Sequence, residues 1–364
     1  MSTLKKTLNF ESGGVDIVVD GLWGSCGKGK IAGFMAVEHQ YDLSLVVASP
    51  NCGHTVFAPG SSDKVVLQQL PVAAAVAHIR TRSILSAASL IDVELFLHEV
   101  RLLGLTPKHV GIDAAAGVVD PHHVKVEADA DLHKRLGSTA HGVGAARAER
   151  LIRDPKFRLA KDVPELAPFV CDSLTEIDAV LERGGSILLE GGQGTLLSHN
   201  VSGPDGKPFY PFVTSCVRTA SGLAADALIS PHSVRNVVTV LRSYPIRVAG
   251  NSGPFYAPEL TWAEVSQRAQ SMEKIEEITT VTKKVRRVAE LSDDILKLSH
   301  RLNKPDAIAL TFGDYYNAKS FGASKWEELS DEAVKAIQHM ETVGGVPVWL
   351  VGTGPKHEQM IRRF

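Results

Sequence analysis

Cysteine is scarce in this 364-residue chain, and the four present (Cys26, Cys52, Cys171 and Cys216) form no C-x-x-C pair and no spaced framework. That argues against a disulfide-stapled secreted scaffold and points to a reducing compartment. No apolar run is long enough to span a bilayer. The N-terminus lacks the basic head, apolar stretch and small-residue cleavage site of a signal peptide. An excess of one charge is lacking too. With 39 Lys and Arg against 41 Asp and Glu, the formal net charge of −2 offers nucleic acid no global basic field. No repeat, low-complexity tract or composition break marks a linker. A composition 44% hydrophobic and 22% charged suits a soluble globular protein. The expectation is a cytoplasmic protein (host-cytoplasmic if viral), with no nucleic-acid or membrane partner, folded as one domain over residues 1–364.

One further absence sits inside a motif. Gly24 to Lys30, "GSCGKGK", fits G-x-x-x-x-G-K, but Ile31 stands where a Ser or Thr would hold magnesium. The β-branched run "VDIVVDG" before it reads as a buried strand, and "KGKIAGFMAVEHQ" after it as a helix. Strand, glycine-rich turn, helix is the layout that presents backbone N–H groups to an anion. Further along, "LSLVVASPN" and "VPVWLVGTGP" read as strands. "VRNVVTVLRSYPIRV" reads as one or two strands, and "GGSILLEGGQGTLL" as a strand running into a glycine turn. "SLIDVELFLHEVRLLG", "DPHHVKVEADADLHKRLG" and "AVKAIQHMETVGG" have helical spacing. The alternation predicts an α/β fold with a largely parallel central sheet flanked by helices, and ligands at the C-terminal strand ends.

Five stretches carry candidate chemistry. Lys28 and Lys30 add charge to the glycine loop. "SPNCGHTVF" places Asn51, His54 and Thr55 around Gly53, and a histidine beside a phosphate can stabilise charge in transfer. In "LLEGGQGTLL", Gln193 can bond a purine edge or a phosphoryl oxygen. The hydroxyls of "YPFVTSCVRTASG", around Thr214 and Thr219, suit a monophosphate or simply a polar surface loop. In "VTKKVRR", Lys284 and Arg286 can clamp a dicarboxylate, or form a solvated basic face.

Taken in order, "LWGSCGKGK", "NCGHT", "STAHGVGAARAERLIR", "LLEGGQGTLL", "YPFVTS", "RVAGNSGPF", "VTKKVRR", "LTFGD" and "VGTGP" resemble the adenylosuccinate synthetase family over nearly the whole chain. The resemblance implies a P-loop-related fold and a ligase that joins L-aspartate to C6 of a 6-oxopurine nucleotide. A nucleoside triphosphate first phosphorylates O6, and the aspartate amine then displaces that phosphate. Carried over by motif, Ser25, Lys28, His54 and Gln193 are the catalytic positions. Asn51, Ser138, Thr139, Arg153, Thr214 and Arg247 join Ser25 and Gln193 around the nucleoside monophosphate. Thr282, Lys284 and Arg286 hold aspartate. The triphosphate donor takes Cys26, Gly27, Lys28, Gly29, Lys30, Gly53, His54 and Thr55 at its phosphates, with Asp314, Gly352, Gly354 and Pro355 beyond. Mg2+ falls to Ser25 and Gly53. Arg153 matches a residue that reaches the neighbouring subunit, which implies a homodimer with a shared site.

Three departures refine that expectation. The family loop reads W-G-D-E-G-K-G-K, and its Asp binds magnesium and takes the proton from purine N1; here Ser25 and Cys26 replace the acidic pair. Serine is a poor unassisted base, and Asp20 is the nearest carboxylate in sequence, with a turn role the stronger reading. Trimming Asp to Ser makes room for a 2-amino group, and Oγ can accept its N–H. The same change is associated with the phage branch of the family, which makes N6-succino-2-amino-2′-deoxyadenylate from dGMP. dGMP is therefore the expected substrate, IMP the alternative, and an inactive nucleotide-binding regulator the alternative of a different class. Second, Phe312 and Gly352 replace the Lys and Ser of the guanine-reading motifs, which favours ATP or dATP over GTP. Third, Lys284 stands where Arg is usual.

Overall fold

The computed structural model describes residues 8–279 and 283–364. Its centre is a ten-stranded sheet. In spatial order the strands are Met360–Arg362, Val348–Gly352, Ala307–Thr311, Val234–Arg242, Gly14–Asp20, Ser186–Gly194, Leu43–Val46, Arg82–Leu85, Val110–Asp113 and Val170–Cys171. Neighbours run parallel except at the Met360–Arg362 edge. The expected α/β architecture is therefore the one observed.

All seven residues of Gly14–Asp20 are buried. That is why it reads as a continuous β-branched run rather than an alternating one: helices cover both faces. On one face, Ile31 and Met35 of the Lys28–Glu38 helix pack with Ile295 and Leu296 of Asp293–Asn303 and Ile337 of Asp331–Gly344. On the other, Ile177 of Ser173–Glu182 and Leu223 of Ala220–Asp226 meet Ile17 and Leu189. The early strands fill one side of Gly14–Asp20 and the late strands the other. The order reverses there, and a crevice opens beyond the strand ends.

Gly29 and Gly33 bring the first helix against a hairpin, His54–Phe57 with Lys64–Leu67. A Cβ on Gly33 would sit 2.5 Å from Val56 Cγ2, and one on Gly29 3.0 Å from the Thr55 carbonyl. The two glycines thus seat His54 beside the phosphate-type loop.

Several elements differ from the sequence reading. Leu90–Ile91 is a short strand, and the helix expected from Ser89 begins at Val93, where Asp92 accepts from Leu95 N at 3.0 Å. The polar helix after Asp120 is two helices, Pro121–Asp129 and Leu132–Leu136, broken at Asp131 (φ 50°). Ser186–Gly194 continues as strand through its glycines instead of turning. Among the described residues, no helix is long and apolar enough to cross a membrane.

Candidate active site

The loop from Gly21 to Lys30 is shaped from beneath. Asp20 Oδ1 accepts from Leu22 N at 2.9 Å and Gly24 N at 3.2 Å, and Oδ2 from Cys26 N at 2.9 Å. From the neighbouring strands, Thr311 Oγ1 donates to the Cys26 carbonyl at 2.6 Å and Arg242 Nη1 to the Ser25 carbonyl at 2.9 Å. Burial pushes the Asp20 carboxyl up, against the pull of the Cys26 and Leu22 amides. With both oxygens holding the turn, Asp20 acts as a brace, not a free base. Ser25 stands at the loop tip in the left-handed region (φ 56°), and its exposed Oγ accepts from Arg286 Nη1 at 3.1 Å.

Behind the loop lies a charged triad. Lys28 Nζ is 2.9 Å from His54 Nε2 and 3.4 Å from Glu190 Oε1, while His54 Nδ1 is 2.5 Å from the same carboxylate oxygen. Glu190 is fully buried and also accepts from Val72 N at 3.0 Å. Burial alone would raise its carboxyl; the His54 and Lys28 charges and the bonds from His54 and Val72 outweigh that and hold it at about 2. The carboxylate fixes a proton on His54 Nδ1, which leaves Nε2 to take a hydrogen bond from Lys28 or, once protonated, to give one to a ligand. Sequence reasoning missed Glu190. Its signal was a lone acid in the buried apolar run "SILLEGG", where an unpaired carboxylate would not survive.

These groups open into a cavity of about 890 Å³. Of the expected residues, Ser25, Cys26, Gly27, Lys28 and Gly29 line it from the loop, and Asn51, Gly53, His54 and Thr55 from the hairpin side. Ser138, Thr139, Gln193, Thr214, Arg247 and Arg286 complete the set. Gln193 has φ 60°, and its buried Oε1 has no hydrogen-bond partner. Arg247, 5.0 Å over the Trp23 ring, is lowered to about 9 by burial and then by the nearby Arg287 charge. Two carboxylates line the cavity, Asp20 and Glu127. Glu127 receives Gly142 N at 2.8 Å and Gly144 N at 2.7 Å, so neither is free.

Other expected residues lie elsewhere. Lys30 is a correction: its Nζ donates to the carbonyls of Gly354 (2.5 Å) and Gln359 (2.6 Å), which pins that loop rather than charging the phosphate cradle. Burial lowers Lys30 to about 8, against the Asp314 and Glu358 charges. Gly352, Gly354, Pro355 and Asp314 stand outside the cavity wall. Phe312 lines it and carries the Arg242 guanidinium 4.0 Å from its ring centroid. Lys284 is exposed and off the wall, whereas Arg286 lines it. Arg153 is exposed, two residues beyond the lining Leu151. Thr282 lies outside the described residues.

The comparisons agree with this geometry. The family model for adenylosuccinate synthetase matches residues 17–162 and 154–320. The chain is 34% identical over 351 residues to the adenylosuccinate synthetase of Pyrococcus sp. (strain ST700), covering 95% of this chain and 98% of that one. Among solved structures, the cyanophage S-2L succinoaminodeoxyadenylate synthetase, bound to dGMP and to dATP as an energy donor, superposes with a TM-score of 0.79 at 28% identity, covering 96% of this chain and 95% of that one. The Plasmodium falciparum adenylosuccinate synthetase gives a TM-score of 0.81 at 20% identity over 97% and 100% of the two chains, a likeness of fold. A glycine loop braced from below, a buried Lys–His–Glu triad and relatives matched nearly end to end lead to one assignment: the chain belongs to the adenylosuccinate synthetase family.

Proposed function

We propose that this ligase joins L-aspartate to C6 of dGMP, with consumption of a nucleoside triphosphate, to give N6-succino-2-amino-2′-deoxyadenylate. The observation that carries the reading is the loop tip. Ser25 presents a small hydroxyl there, and no carboxylate lining the cavity is free of backbone amides. A purine 2-amino group fits beside a serine and can donate to its Oγ; beside a carboxylate side chain it would be crowded. The dGMP in the cyanophage relative supports the same choice. The 34%-identical archaeal relatives, adenylosuccinate synthetases, support the second reading, in which the substrate is IMP.

The reaction runs in two displacements. The γ-phosphoryl group passes to purine O6, the donor leaves as its nucleoside diphosphate, and the N1 proton passes to solvent water. The aspartate amine then attacks C6, and the C6–O bond breaks with release of inorganic phosphate. Lys28 and His54 face the moving phosphoryl group, and Glu190 stabilises the imidazolium that donates to it. The orphaned Gln193 Oε1 is an acceptor in want of a donor, which a purine N–H supplies. Arg286 takes a carboxylate of aspartate. Phe312 offers the donor base an aromatic face instead of a lysine, in keeping with ATP or dATP. Arg153 completes the monophosphate site of a partner subunit in a homodimer.

The family generally uses Mg2+. The two expected donors, the Gly53 carbonyl and Ser25 Oγ, are both oxygens and suit a hard cation that keeps phosphate oxygens and waters as its other ligands. Arg286 already holds Ser25 Oγ, which makes Gly53 the stronger of the two. When bound, the ion would neutralise charge on the triphosphate.

The test is a panel of IMP, GMP and dGMP crossed with ATP and GTP, on wild type and Ser25→Asp. Wild type should prefer dGMP, and the substitution should lower the dGMP-to-IMP ratio of kcat/KM by about tenfold or more. A wild-type preference for IMP, or an unmoved ratio, would reject the steric argument.

A further inference from the structure

Behind one wall of the cavity the fold buries positive charge that its own carboxylates do not balance. Arg218 is 1% exposed, yet its Nε and Nη1 have no hydrogen-bond partner; Arg147 Nε, on the Val143–Leu151 helix, has none either. Arg218 Nη1 has one ion pair, with Asp226 at 3.5 Å, too poorly aligned to be a hydrogen bond. Asp226 also feels Arg147 and Arg150; Arg150 has Asp113 as well, which leaves Arg218 and Arg147 to share Asp226. Arg147 and Arg150 otherwise reach only the carbonyls of Ala88 (3.4 Å) and Ala87 (3.2 Å). Burial holds Arg147 below the ordinary guanidinium range. Buried cations without full compensation are costly, and a bound anion would offset that cost.

Position suggests which anion. Arg147 lies one helical turn past Val143, and Arg218 three residues past Ser215; both Val143 and Ser215 line the cavity. The Arg218 charge falls on Cys52, also in the wall. The Arg147 charge falls on Cys216, whose Sγ is 3.5 Å from Thr214 Oγ1. This stretch of wall is lined by the hydroxyl residues Ser138, Thr139 and Thr214, the last donating its Oγ1 to the Leu197 carbonyl at 3.0 Å. The lysines and arginines lining the cavity are Lys28, Arg247 and Arg286. Lys28 belongs to the triad, Arg286 bonds Ser25, and Arg247 bonds the Ser252 carbonyl at 2.5 Å. The N-terminus of the Val143–Leu151 helix, a natural seat for phosphate, is already filled by the Glu127 carboxylate. A phosphate dianion against these hydroxyls would meet a negative neighbour, and among the described residues each lysine or arginine lining the cavity already has a partner of its own.

We propose that Arg147 and Arg218 are positioning residues for the 5′-phosphate of the nucleoside monophosphate, supplying from behind the hydroxyl wall the positive field that wall lacks. The proposal rests on the reading that such a nucleotide is the substrate, whether dGMP or IMP. The field of the buried Arg218 acts through protein rather than water and is weakly screened by salt.

The experiment uses the full-length enzyme with Arg218→Gln, Arg218→Lys and Arg147→Gln. Arg218→Gln should raise KM for the nucleotide that is turned over by about tenfold, with KM for donor and aspartate within about twofold. Arg218→Lys should recover most of the loss. Inorganic phosphate, titrated into each enzyme as a competitor of the nucleotide, should weaken by the same factor as the nucleotide KM. The free Arg218→Gln enzyme should melt no lower than wild type while gaining less Tm from added nucleotide. Equal rises in all three KM values, or an unchanged nucleotide KM in a folded variant, would overturn the proposal; Arg147→Gln decides by the same criteria where Arg218→Gln does not fold. Because phosphate competition is read with either nucleotide, a wild-type preference for IMP would refute the dGMP reading and leave this test standing.

Discussion

Replacing Glu190 with Gln removes one charge and little volume from the most enclosed part of the site. The carboxylate is fully buried and receives His54 Nδ1 at 2.5 Å, Val72 N at 3.0 Å and Lys28 Nζ at 3.4 Å. Opposite unit charges about 4 Å apart attract by roughly 4 kcal/mol at an effective dielectric of about 20. In the ground state Lys28 shares that attraction, so only the part that grows as His54 becomes imidazolium counts toward rate. That part should resemble the loss of one oxyanion donor, about 2.7–4 kcal/mol or roughly 10² to 10³ in kcat. Nucleotide KM should move by less than about threefold, because the contact tightens in the transition state. The assay is phosphate release at saturating substrates, with Tm measured alongside. Linkage gives a second signature. The Glu190 carboxyl is depressed from 4.5 to about 2 in the fold, so its stabilisation is complete above 4.5 and is lost as pH falls toward about 2. Glu190→Gln should lack that component of acid destabilisation. A folded Glu190→Gln enzyme with kcat within about threefold of wild type would refute the triad as a working unit.

Three other outcomes are expected. Gly352→Ser should fit, since a Cβ there would meet Lys30 Nζ at 3.4 Å and Thr311 Cα at 3.6 Å, both ordinary contacts. It should raise GTP use relative to ATP by about fivefold, the worth of one hydrogen bond; an unchanged donor ratio in steady-state assays would count against this. Lys30, lowered from 10.5 to about 8, is charged in both folded and unfolded chains below 8, where its burial penalty is complete; between about 8 and 10.5 only the unfolded chain holds the proton, so stability rises with pH. Denaturant unfolding of Lys30→Met should lack that rise; an identical pH slope in both proteins would contradict it. Mixing Arg153→Leu with Lys28→Ala chains should restore up to about a quarter of wild-type activity if subunits share sites; no recovery in mixed samples that form dimers excludes sharing.

Much of the fold was legible because its central strands are buried on both faces and read as apolar runs, with Gly14–Asp20 the clearest. The Asp293–Asn303 helix was missed although Ser292 caps it, accepting from Ile295 N at 3.3 Å, and acids open its first turn. Cap chemistry would have found it where a search for apolar runs did not. The Ala307–Thr311 strand, "AIALT", was noticed only as the lead-in to a motif. In the site, motif spacing pointed to the loop, His54 and Gln193, which the structure brings to one cavity. It misassigned Lys30, because in sequence a lysine beside a phosphate-type loop does not reveal which way its ammonium turns. Glu190, Arg147 and Arg218 act from behind the wall, where only three-dimensional proximity gives them meaning.

The brace beneath the glycine loop bears on how such an enzyme changes its diet. Asp20, Thr311 and Arg242 grip the backbone from Leu22 to Cys26, whereas the Ser25 side chain projects outward and is held by Arg286 alone. The left-handed backbone at Ser25 is tolerated at least as well by aspartate. On the proposed reading, stability and substrate choice reside on opposite sides of the same five residues. A lineage can exchange the outward residue by a codon change or two without first acquiring a compensating mutation. On that reading a library randomised at position 25 alone would sample new nucleotide specificities in a loop whose backbone stays braced.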